Sequence, residues 1–277
     1  MGCFGTPFVF LYIFIYICEN QTEMKQYRPR LTETEYEVIQ KMRHNEVRNV
    51  LIIGDLHAPF IKGQCNDGGS YLEHCLDVYE KNNCNDVILI GDLIDSHFSS
   101  FHETHPDGFG AGEELDRAIN QLKSWHDAFP NARVCIGNHD AIISRKAVAM
   151  GISQRWLKDL SEALQVPTWT FDDSFEQDGV IYTHGTGSSG ARGAHNRMVN
   201  WGKSVVQGHI HTECSVSWHC TKTARHFAMQ VGCGVTNTNQ YALAYAKNFT
   251  KRSIIACGVV LNNGMLPITY PMHLGEE

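Results

Sequence analysis

The sequence predicts an α/β protein built on two β-sheets, and two observations support this prediction. In the first half, three short apolar runs alternate with stretches of helical periodicity, a pattern typical of parallel strands joined by crossover helices. The second half contains many strand-like runs and little helix. We expect one two-sheet domain over residues 45–272, preceded by an apolar extension and a short helix in residues 1–44 and followed by a tail in residues 273–277.

The strands predicted in the first half are continuous apolar runs rich in branched residues: Asn49–Gly54, Asp86–Gly91 and Ala132–Gly137. Runs of this kind suit strands that are buried on both faces. The amphipathic segments Tyr71–Lys81 and Glu113–Phe129 lie between them and are long enough for crossover helices. The first sheet is therefore expected to be parallel, with ligands at the carboxyl ends of its strands.

Six further strands and one helix are predicted in the second half. The helix is expected around Ala191–Trp201, and the strands over Gly179–Gly185, Lys203–His211, Cys214–Cys220, His226–Gly232, Ser253–Val260 and Met265–Pro271. Because this half has so little helix to serve as crossovers, we expect these strands to form a second, largely antiparallel sheet.

The amino-terminal region contains an uncharged apolar stretch, Phe8–Cys18, followed by a predicted surface helix over Thr32–Arg43. The stretch is shorter than the roughly 20 residues that span a bilayer, and no Lys or Arg precedes it as in a secretory signal. It is open to three interpretations: an extension upstream of a start at Met24, a membrane anchor, or a cleaved signal. We expect a cytoplasmic protein, with membrane anchoring through residues 8–18 as the alternative.

The composition argues against several classes of protein. A hydrophobic content of 43% in 277 residues excludes a disordered acidic chain. The net charge of −7 does not favour binding of nucleic acid through a general excess of positive charge, although a local basic patch remains possible. The ten cysteines include no CxxC pair, and we expect them to be reduced thiols.

Groups that can bind metals follow the predicted strands at five places. They are Asp55 and His57 in GDLH, Asp92 and Asp95 in GDLID, Asn138 and His139 in GNHD, His184 in THG, and His209 and His211 in GHIH. A single Asp or His after a strand is usually a cap or a loop residue, but five such segments are hard to explain as caps. Carboxylates and imidazoles gathered at one edge would be costly to bury without a cation. Imidazole, carboxylate and amide ligands without thiolate suit Mn, Fe or Zn.

This ordered set resembles the calcineurin-like metallophosphoesterase superfamily, whose pattern runs DxH, GDxxD, GNH(D/E), H and GHxH. The resemblance spans Gly54 to His211 and includes all five blocks. It implies a four-layer αββα sandwich of two mixed β-sheets flanked by helices. It also implies one metal site of Asp55, His57 and His211, a second site of Asn138, His184 and His209, a bridging carboxylate at Asp92, a catalytic histidine at His139, and Asp95 as the residue that orients and charges that histidine.

The resemblance implies a phosphoester hydrolase with two divalent metal ions, Mn, Fe or Zn, placed roughly 3.5–4 Å apart. A hydroxide that bridges the two ions would attack phosphorus directly, and His139 would stabilise the added charge or protonate the leaving oxygen. We expect the substrate to be a nucleotide or another small phosphoester, cleaved by phosphatase or phosphodiesterase activity. A metal-dependent nuclease and a non-catalytic scaffold that retains the fold are the alternatives.

Two segments bear on the choice of substrate. After GDLID the chain continues with Ser96 and His97, whereas Ser/Thr protein phosphatases of the superfamily carry Arg and Gly there. This departure argues against a phosphoprotein phosphatase and leaves His97 either as an extra substrate contact or as a loop residue. The glycine-rich segment after His184 contains Arg192 and Arg197. Arg192 is our candidate for binding the substrate phosphate, with a turn that carries solvated arginines as the alternative.

Overall fold

The computed structural model describes residues 47–64, 69–100, 107–236 and 252–272. All helices and strands given below lie in the unit Arg48–Glu277. The apolar stretch Phe8–Cys18, the helix predicted over Thr32–Arg43 and the tail in residues 273–277 lie outside the described residues. Among the helices that are described, none has the length and apolar character needed to cross a membrane.

The described residues form eleven strands and five α-helices. The strands are β1 (Val50–Ile53), β2 (Asp86–Leu89), β3 (Arg133–Cys135), β4 (Thr170–Asp172), β5 (Ser174–Gln177), β6 (Val180–Thr183), β7 (Ser204–Gln207), β8 (Ser215–Cys220), β9 (Arg225–Gln230), β10 (Ala256–Leu261) and β11 (Leu266–Pro271). The helices are α1 (Tyr71–Lys81), α2 (Ala111–Ala128), α3 (Ile142–Ala149), α4 (Leu160–Ala163) and α5 (Gly193–Trp201), with short 3-10 turns at His97–Ser99 and Gln154–Trp156. The bounds of α1 are those predicted, whereas β4, β5 and α4 occupy segments in which the sequence predicts no element.

The first sheet contains six strands in the order β11-β10-β1-β2-β3-β4. β1, β2, β3 and β4 run parallel, as the apolar runs predict, with Val50 opposite Asp86 and Ile88 opposite Arg133. β10 pairs with β1 and β11 pairs with β10, both in antiparallel orientation. The carboxyl ends of β1, β2 and β3 therefore open at one edge of the sheet, which is where ligands bind in such folds.

The second sheet corrects the expectation of a largely antiparallel arrangement. Its order is β5-β6-β7-β9-β8, and the three central strands are parallel, while β5 and β8 pair antiparallel at the two edges. The last two strands, β10 and β11, which we expected in this sheet, extend the first sheet instead. Hydrophobic periodicity identifies a strand but not its partner, so both errors have the same physical origin.

The packing of apolar residues confirms a four-layer sandwich of two mixed sheets. One core lies between the sheets, where Val50 and Ile52 of β1 meet Tyr182 of β6 and Met229 of β9. The alternate β1 residues Leu51 and Ile53 face the opposite way, toward a core that includes Tyr71 of α1 and Trp125 of α2. α5 covers the outer face of the second sheet through Ala194 and Met198, which pack on Val205 and Ala228. The central strands β1 and β7 are thus buried on both faces of their sheets, as expected for continuous apolar strands.

Tyr71 joins the end of β1 to the start of β10. α1 begins at this residue, directly after Ser70, whose hydroxyl accepts the backbone N–H of Glu73 at 3.2 Å and caps the helix. The buried hydroxyl of Tyr71 accepts the N–H of Gly54 at 3.0 Å and donates to the carbonyl of Ala256 at 2.7 Å. Gly54 directly precedes Asp55, so Tyr71 also supports the backbone of the candidate site.

We expect Tyr71→Phe to lower the free energy of unfolding by about 2 kcal/mol or more, because two buried backbone groups lose their partner. Urea denaturation measures this change. Tyr270→Phe is the matched control: its hydroxyl is partly buried and donates to the side chain of Asn82 at 3.0 Å, so its loss is expected to cost less than about 1 kcal/mol. Equal losses in the two variants would contradict the role given to Tyr71.

Candidate metal centre

Five loops bring the candidate residues to one end of the two sheets. Asp55 and His57 follow β1, Asp92 follows β2, Asn138 and His139 follow β3, His184 follows β6, and His209 and His211 follow β7. The first three loops come from the first sheet and the last two come from the second. Contacts between their side chains join the five loops.

The backbone of these loops is strained at three of the candidate residues. His57, Asp92 and His209 have φ angles of 49°, 48° and 69°. This left-handed region is uncommon for residues other than glycine, and such strain persists only where the surroundings fix it. Here the carbonyl of Asp92 accepts the N–H groups of Leu56 and His57 at 3.1 and 2.9 Å, which ties the first two loops together.

One group of possible ligands consists of Asp55, His57 and His211. The candidate ligand atoms lie within 4.8 Å of one another, and Nε2 of His211 is 3.0 Å from Oδ2 of Asp55. Asp55 and His57 are buried, whereas His211 is partly exposed. A cation would therefore reach this group from the side of His211.

A second group consists of Asp92, His184 and His209, whose ligand atoms also lie within 4.8 Å of one another. Nε2 of His184 is 3.2 Å from Oδ2 of Asp92 and 3.2 Å from Nδ1 of His209. Oδ1 of Asn138 lies 2.9 Å from the same Nε2 atom of His184. Asn138 and His209, which the resemblance assigns to one metal together with His184, thus both contact Nε2 of His184.

Asp92 lies between the two groups. Its Oδ2 is 3.2 Å from Nε2 of His184 in the second group and 3.5 Å from Nε2 of His57 in the first. Its other oxygen, Oδ1, accepts the backbone N–H of His139 at 2.8 Å. One carboxylate oxygen is therefore within reach of both groups, as a ligand shared by two cations must be.

The hydrogen bonds of two histidines fix which ring nitrogen can bind a metal. Nδ1 of His184 lies 3.0 Å from the carbonyl of Ile90, which can only accept, so this nitrogen carries the proton. Nδ1 of His57 lies 2.7 Å from Oδ1 of Asp95, and an ionised carboxylate has the same effect. In both residues Nε2 faces the centre, and it is the nitrogen that a metal ion would bind in place of a proton. This is the usual way in which a protein orients a histidine ligand.

Two buried atoms of the first group have no hydrogen-bond partner. They are Oδ1 of Asp55 and Nε2 of His57, on side chains that are among the most buried polar ones in the described residues. Leaving such atoms unpaired costs about 1–3 kcal/mol each. A divalent cation held by this group would give Nε2 of His57 a partner and would neutralise the buried carboxylate of Asp55, so the residues present fit a metal of the kind that the imidazole and carboxylate ligands favour.

Two glycines make room for the carboxylates of the site. A Cβ atom at Gly137 would lie 2.1 Å from Oδ1 of Asp92, and a Cβ atom at Gly208 would lie 2.1 Å from Oδ1 of Asp55. Neither distance is compatible with a side chain. Gly137 ends the third predicted strand, and Gly208 directly precedes His209. Glycine is required at both positions because a buried carboxylate lies close to the backbone there.

The carboxylates and imidazoles of the centre shift each other's pKa. Burial lowers the pKa of His184, but the charges of Asp92 and Asp55 outweigh it and raise that pKa to about 10. Burial raises the pKa of Asp92, yet the neighbouring His184, His139 and His57 bring it well below its ordinary value. The pair thus holds a proton between buried negative charges, at the place where a cation would supply the same compensation.

His139 and Asp95 are adjacent, but their contact differs from the expected one. Oδ1 of Asp95 is hydrogen-bonded to His57 and lies 3.8 Å from Nδ1 of His139. Nδ1 of His139 instead donates to the backbone carbonyl of Asp95 at 2.5 Å. The main chain of Asp95 therefore orients His139, while its carboxylate orients His57. Burial lowers the pKa of His139, but the charges of Asp92 and Asp95 outweigh it and raise that pKa.

Asp140 supports the candidate site, although its position in the sequence predicts no role for it. Its buried carboxylate accepts the N–H groups of Leu93 and Ile94 at 2.9 and 3.3 Å and that of Gly137 at 2.9 Å. It thereby joins the loop of Asp92 to the loop of Asn138. Burial raises its pKa to about 6, with the charge of Asp92 acting in the same direction. Its position in GNHD was visible in the sequence, but its partners are backbone groups that no spacing reveals.

The remaining candidates occupy different environments. His97 is buried, with Nδ1 3.8 Å from Oδ2 of Asp95. The guanidinium of Arg197 donates to the carbonyls of Gly185 and Thr186 at 3.3 and 3.0 Å, so it holds the loop after His184. Arg192 precedes α5 and is exposed. Of the two arginines, Arg192 is the one whose charged group is not engaged with that loop.

The chain also matches a family of known proteins. The chain matches the family model described as calcineurin-like phosphoesterase over residues 48–227. Among solved structures, it is similar to Yfce, a phosphoesterase from E. coli, with 14% identity and a TM-score of 0.34 over 76% of this chain and 87% of that one. It is also similar to the Pseudomonas putida nuclease MPE, with 12% identity and a TM-score of 0.36 over 80% of this chain and 87% of that one. None of the curated proteins matches the chain.

The family match covers well over half of the chain and includes every residue of the two ligand groups. The chain therefore belongs to the calcineurin-like phosphoesterase family, whose members are metal-dependent phosphoesterases.

Proposed function

We propose that the protein is a hydrolase of phosphoesters that uses two divalent metal ions. The observation that supports this most directly is the position of Asp92, whose Oδ2 lies within 3.5 Å of a histidine nitrogen from each of the two ligand groups. Asp55, His57 and His211 would hold one ion, and Asn138, His184 and His209 would hold the other, with Asp92 shared. Mn, Fe and Zn are the ions that this ligand set suits.

The two ions would supply a hydroxide nucleophile near neutral pH and would withdraw charge from the phosphoryl oxygens. Residues of the chain would bind the ions and transfer the proton. His57 and His184 carry their protons on Nδ1 and present Nε2 to the centre. His139 is fixed through Nδ1, and one of its ring nitrogens lies within 4.8 Å of ligand atoms of His57 and Asp92. From there it would protonate the leaving oxygen or stabilise the charge that develops on the phosphoryl group.

We expect His139→Ala to lower kcat about a hundredfold or more, because general acid catalysis and charge stabilisation of this kind contribute on that order. The two ligand groups keep their full ligand sets in this variant, so metal content should stay at the wild-type level. Steady-state kinetics with added Mn²⁺, together with elemental analysis, test both points. Unchanged turnover would remove His139 from the mechanism.

The substrate is proposed to be a nucleotide or another small phosphoester, with Arg192 binding its phosphate. Arg192 is exposed directly before α5 and stands five residues before Arg197, which ties this helix to the loop after His184. A cation in this place would attract an anionic substrate without contacting the metal ligands. Arg197 is a less suitable candidate because its Nη2 already donates to two backbone carbonyls.

We expect Arg192→Ala to raise KM about tenfold and to change kcat less than about threefold, since a contact made equally in the ground state and the transition state affects binding alone. Arg225→Ala is a suitable control, because Arg225 is also exposed but stacks on Trp218 of the same sheet at 5.3 Å. A KM that does not change would assign Arg192 to the solvated surface.

A pair of chromogenic esters distinguishes this proposal from its alternatives. Turnover of p-nitrophenyl phosphate with Mn²⁺ indicates a phosphatase, and turnover of bis-p-nitrophenyl phosphate indicates a phosphodiesterase. Cleavage of single-stranded DNA but of neither small ester would favour a nuclease. No turnover of any of them by the metal-loaded chain would leave the non-catalytic scaffold.

A further inference from the structure

Glu114 on α2 is a charged residue whose side chain is buried. It is 5% exposed and lies on the buried stripe of the helix, whose other members are Ala118, Leu122 and Trp125. Its neighbour Glu113 faces solvent, as is usual for a glutamate. A carboxylate is costly to bury among apolar side chains unless hydrogen bonds compensate it. The partners of Glu114 therefore indicate what it does.

The carboxylate of Glu114 binds the first residues of the 3-10 turn His97–Ser99. Oε1 accepts the backbone N–H of His97 at 2.7 Å, and Oε2 accepts that of Phe98 at 3.0 Å. N–H groups at the start of a helical turn have no partner within the turn. Glu114 supplies that partner from a helix that begins more than ten residues later, so it fixes this turn against α2.

The turn directly follows Asp95 and Ser96. Ser96 has a left-handed backbone with φ of 51° and makes no side-chain capping bond, a conformation that costs a residue with a side chain about 1–2 kcal/mol. The carbonyl of Asp95 belongs to the peptide bond between Asp95 and Ser96. Its direction therefore depends on this conformation, and it is the group that accepts Nδ1–H of His139 at 2.5 Å.

We propose that Glu114 is a positioning residue for His139. By holding the N–H groups of His97 and Phe98, its carboxylate keeps Ser96 left-handed, and Ser96 in turn directs the Asp95 carbonyl to His139. The bond from Nδ1–H to this carbonyl leaves Nε2 of His139 as the nitrogen that exchanges protons with a ligand. The consequence for catalysis rests on the proposed function, whereas the control of His139 by Glu114 does not.

The first test is an NMR measurement that does not depend on activity. In protein labelled with ¹⁵N-histidine, the His139 signal is identified by its loss in His139→Ala. When its imidazole is neutral, we expect wild-type His139 to be locked as the tautomer with its proton on Nδ1. Glu114→Gln has the same size but replaces one acceptor by an NH₂ donor, so it keeps at most one of the two bonds. Its His139 signal should move toward that of an imidazole exchanging between tautomers, whereas in Glu113→Gln the signal should not move.

The second test is a double-mutant cycle. Glu114→Gln should lower kcat about tenfold or more, as loss of a group that orients a functional histidine typically does, with KM and Mn²⁺ affinity within about threefold of wild type. In a His139→Ala background the same change should lower kcat less than about twofold, because the histidine that it positions is gone. A purely structural role would lower kcat equally in both backgrounds, and that result would overturn the proposal.

If Glu114→Gln does not fold, Glu114→Asp keeps the buried carboxylate but shortens it so that it cannot reach both N–H groups, and the same NMR shift is expected. If the wild-type protein hydrolyses no ester, the proposed function fails, yet the NMR signal still decides the role of Glu114. An unchanged His139 signal in a folded Glu114 variant would overturn the inference.

Discussion

Asp92→Asn is expected to lower kcat on the order of a thousandfold, equivalent to about 4 kcal/mol of transition-state stabilisation. The variant keeps the size of the side chain and can still accept the N–H of His139, which is 2.8 Å from Oδ1. It replaces the negative carboxylate between His57 and His184 by a neutral amide, so both ligand groups lose the charge that they share. Steady-state kinetics with saturating Mn²⁺ measure the effect.

The matched control for this prediction is Asp86→Asn. Asp86 stands at the opposite end of β2, where its carboxylate pairs with Arg133 at 2.7 Å on the surface away from the centre. Its loss should leave kcat within about twofold, because partly exposed ion pairs contribute about 0–1 kcal/mol to stability and nothing to the site. Retention of more than a tenth of wild-type turnover by Asp92→Asn would contradict the role of a shared ligand.

Gly208→Ala is expected to lower both turnover and metal affinity about a hundredfold or more, although it adds a single methyl group. The added Cβ would lie 2.1 Å from Oδ1 of Asp55 and 2.5 Å from Cγ2 of Ile90. Asp55 is fully buried and also accepts the N–H of His209 at 2.8 Å, so it cannot move without displacing a second ligand residue. Overpacking of this kind costs about 1–3 kcal/mol of stability in addition.

Gly112→Ala is the control for that substitution. Gly112 lies in the first turn of α2, and a Cβ atom there would meet nothing within 4 Å. Alanine in a helix is favoured over glycine by about 1 kcal/mol, so this variant should be as active as wild type and slightly more stable. Mn²⁺ titration and thermal unfolding compare the two variants. A Gly208→Ala protein that binds Mn²⁺ normally would show that the loop can accommodate the side chain.

The sequence predicted the parts of the fold that depend on local patterns. The apolar runs that became β1, β2 and β3 are short, branched and end in glycine, and their parallel pairing followed from the helices between them. Parallel strands place their carboxyl ends at one edge, so the convergence of Asp55, Asp92 and Asn138 could be predicted from position alone. The mixed character of the second sheet could not, because strand pairing depends on tertiary contacts that periodicity does not contain.

Residues whose partners are backbone groups could not be predicted from the sequence either. Asp140 and Glu114 each act through N–H groups of distant loops, and nothing in the spacing of GNHD or in the periodicity of α2 indicates those contacts. The left-handed conformations of His57, Asp92 and Ser96 are equally invisible, since none of them is glycine. The carboxylate of Asp95 bonds to His57 and its backbone carbonyl bonds to His139, and both contacts depend on these conformations.

The most direct measurement is metal uptake by the purified chain after it has been stripped with a chelator and dialysed separately against Mn²⁺, Fe²⁺ and Zn²⁺. Elemental analysis should find two ions per wild-type chain for at least one of these metals, and at most one per chain for Asp92→Asn. A folded wild-type chain that takes up none of the three would contradict the dinuclear centre and, with it, the hydrolysis proposed for this protein.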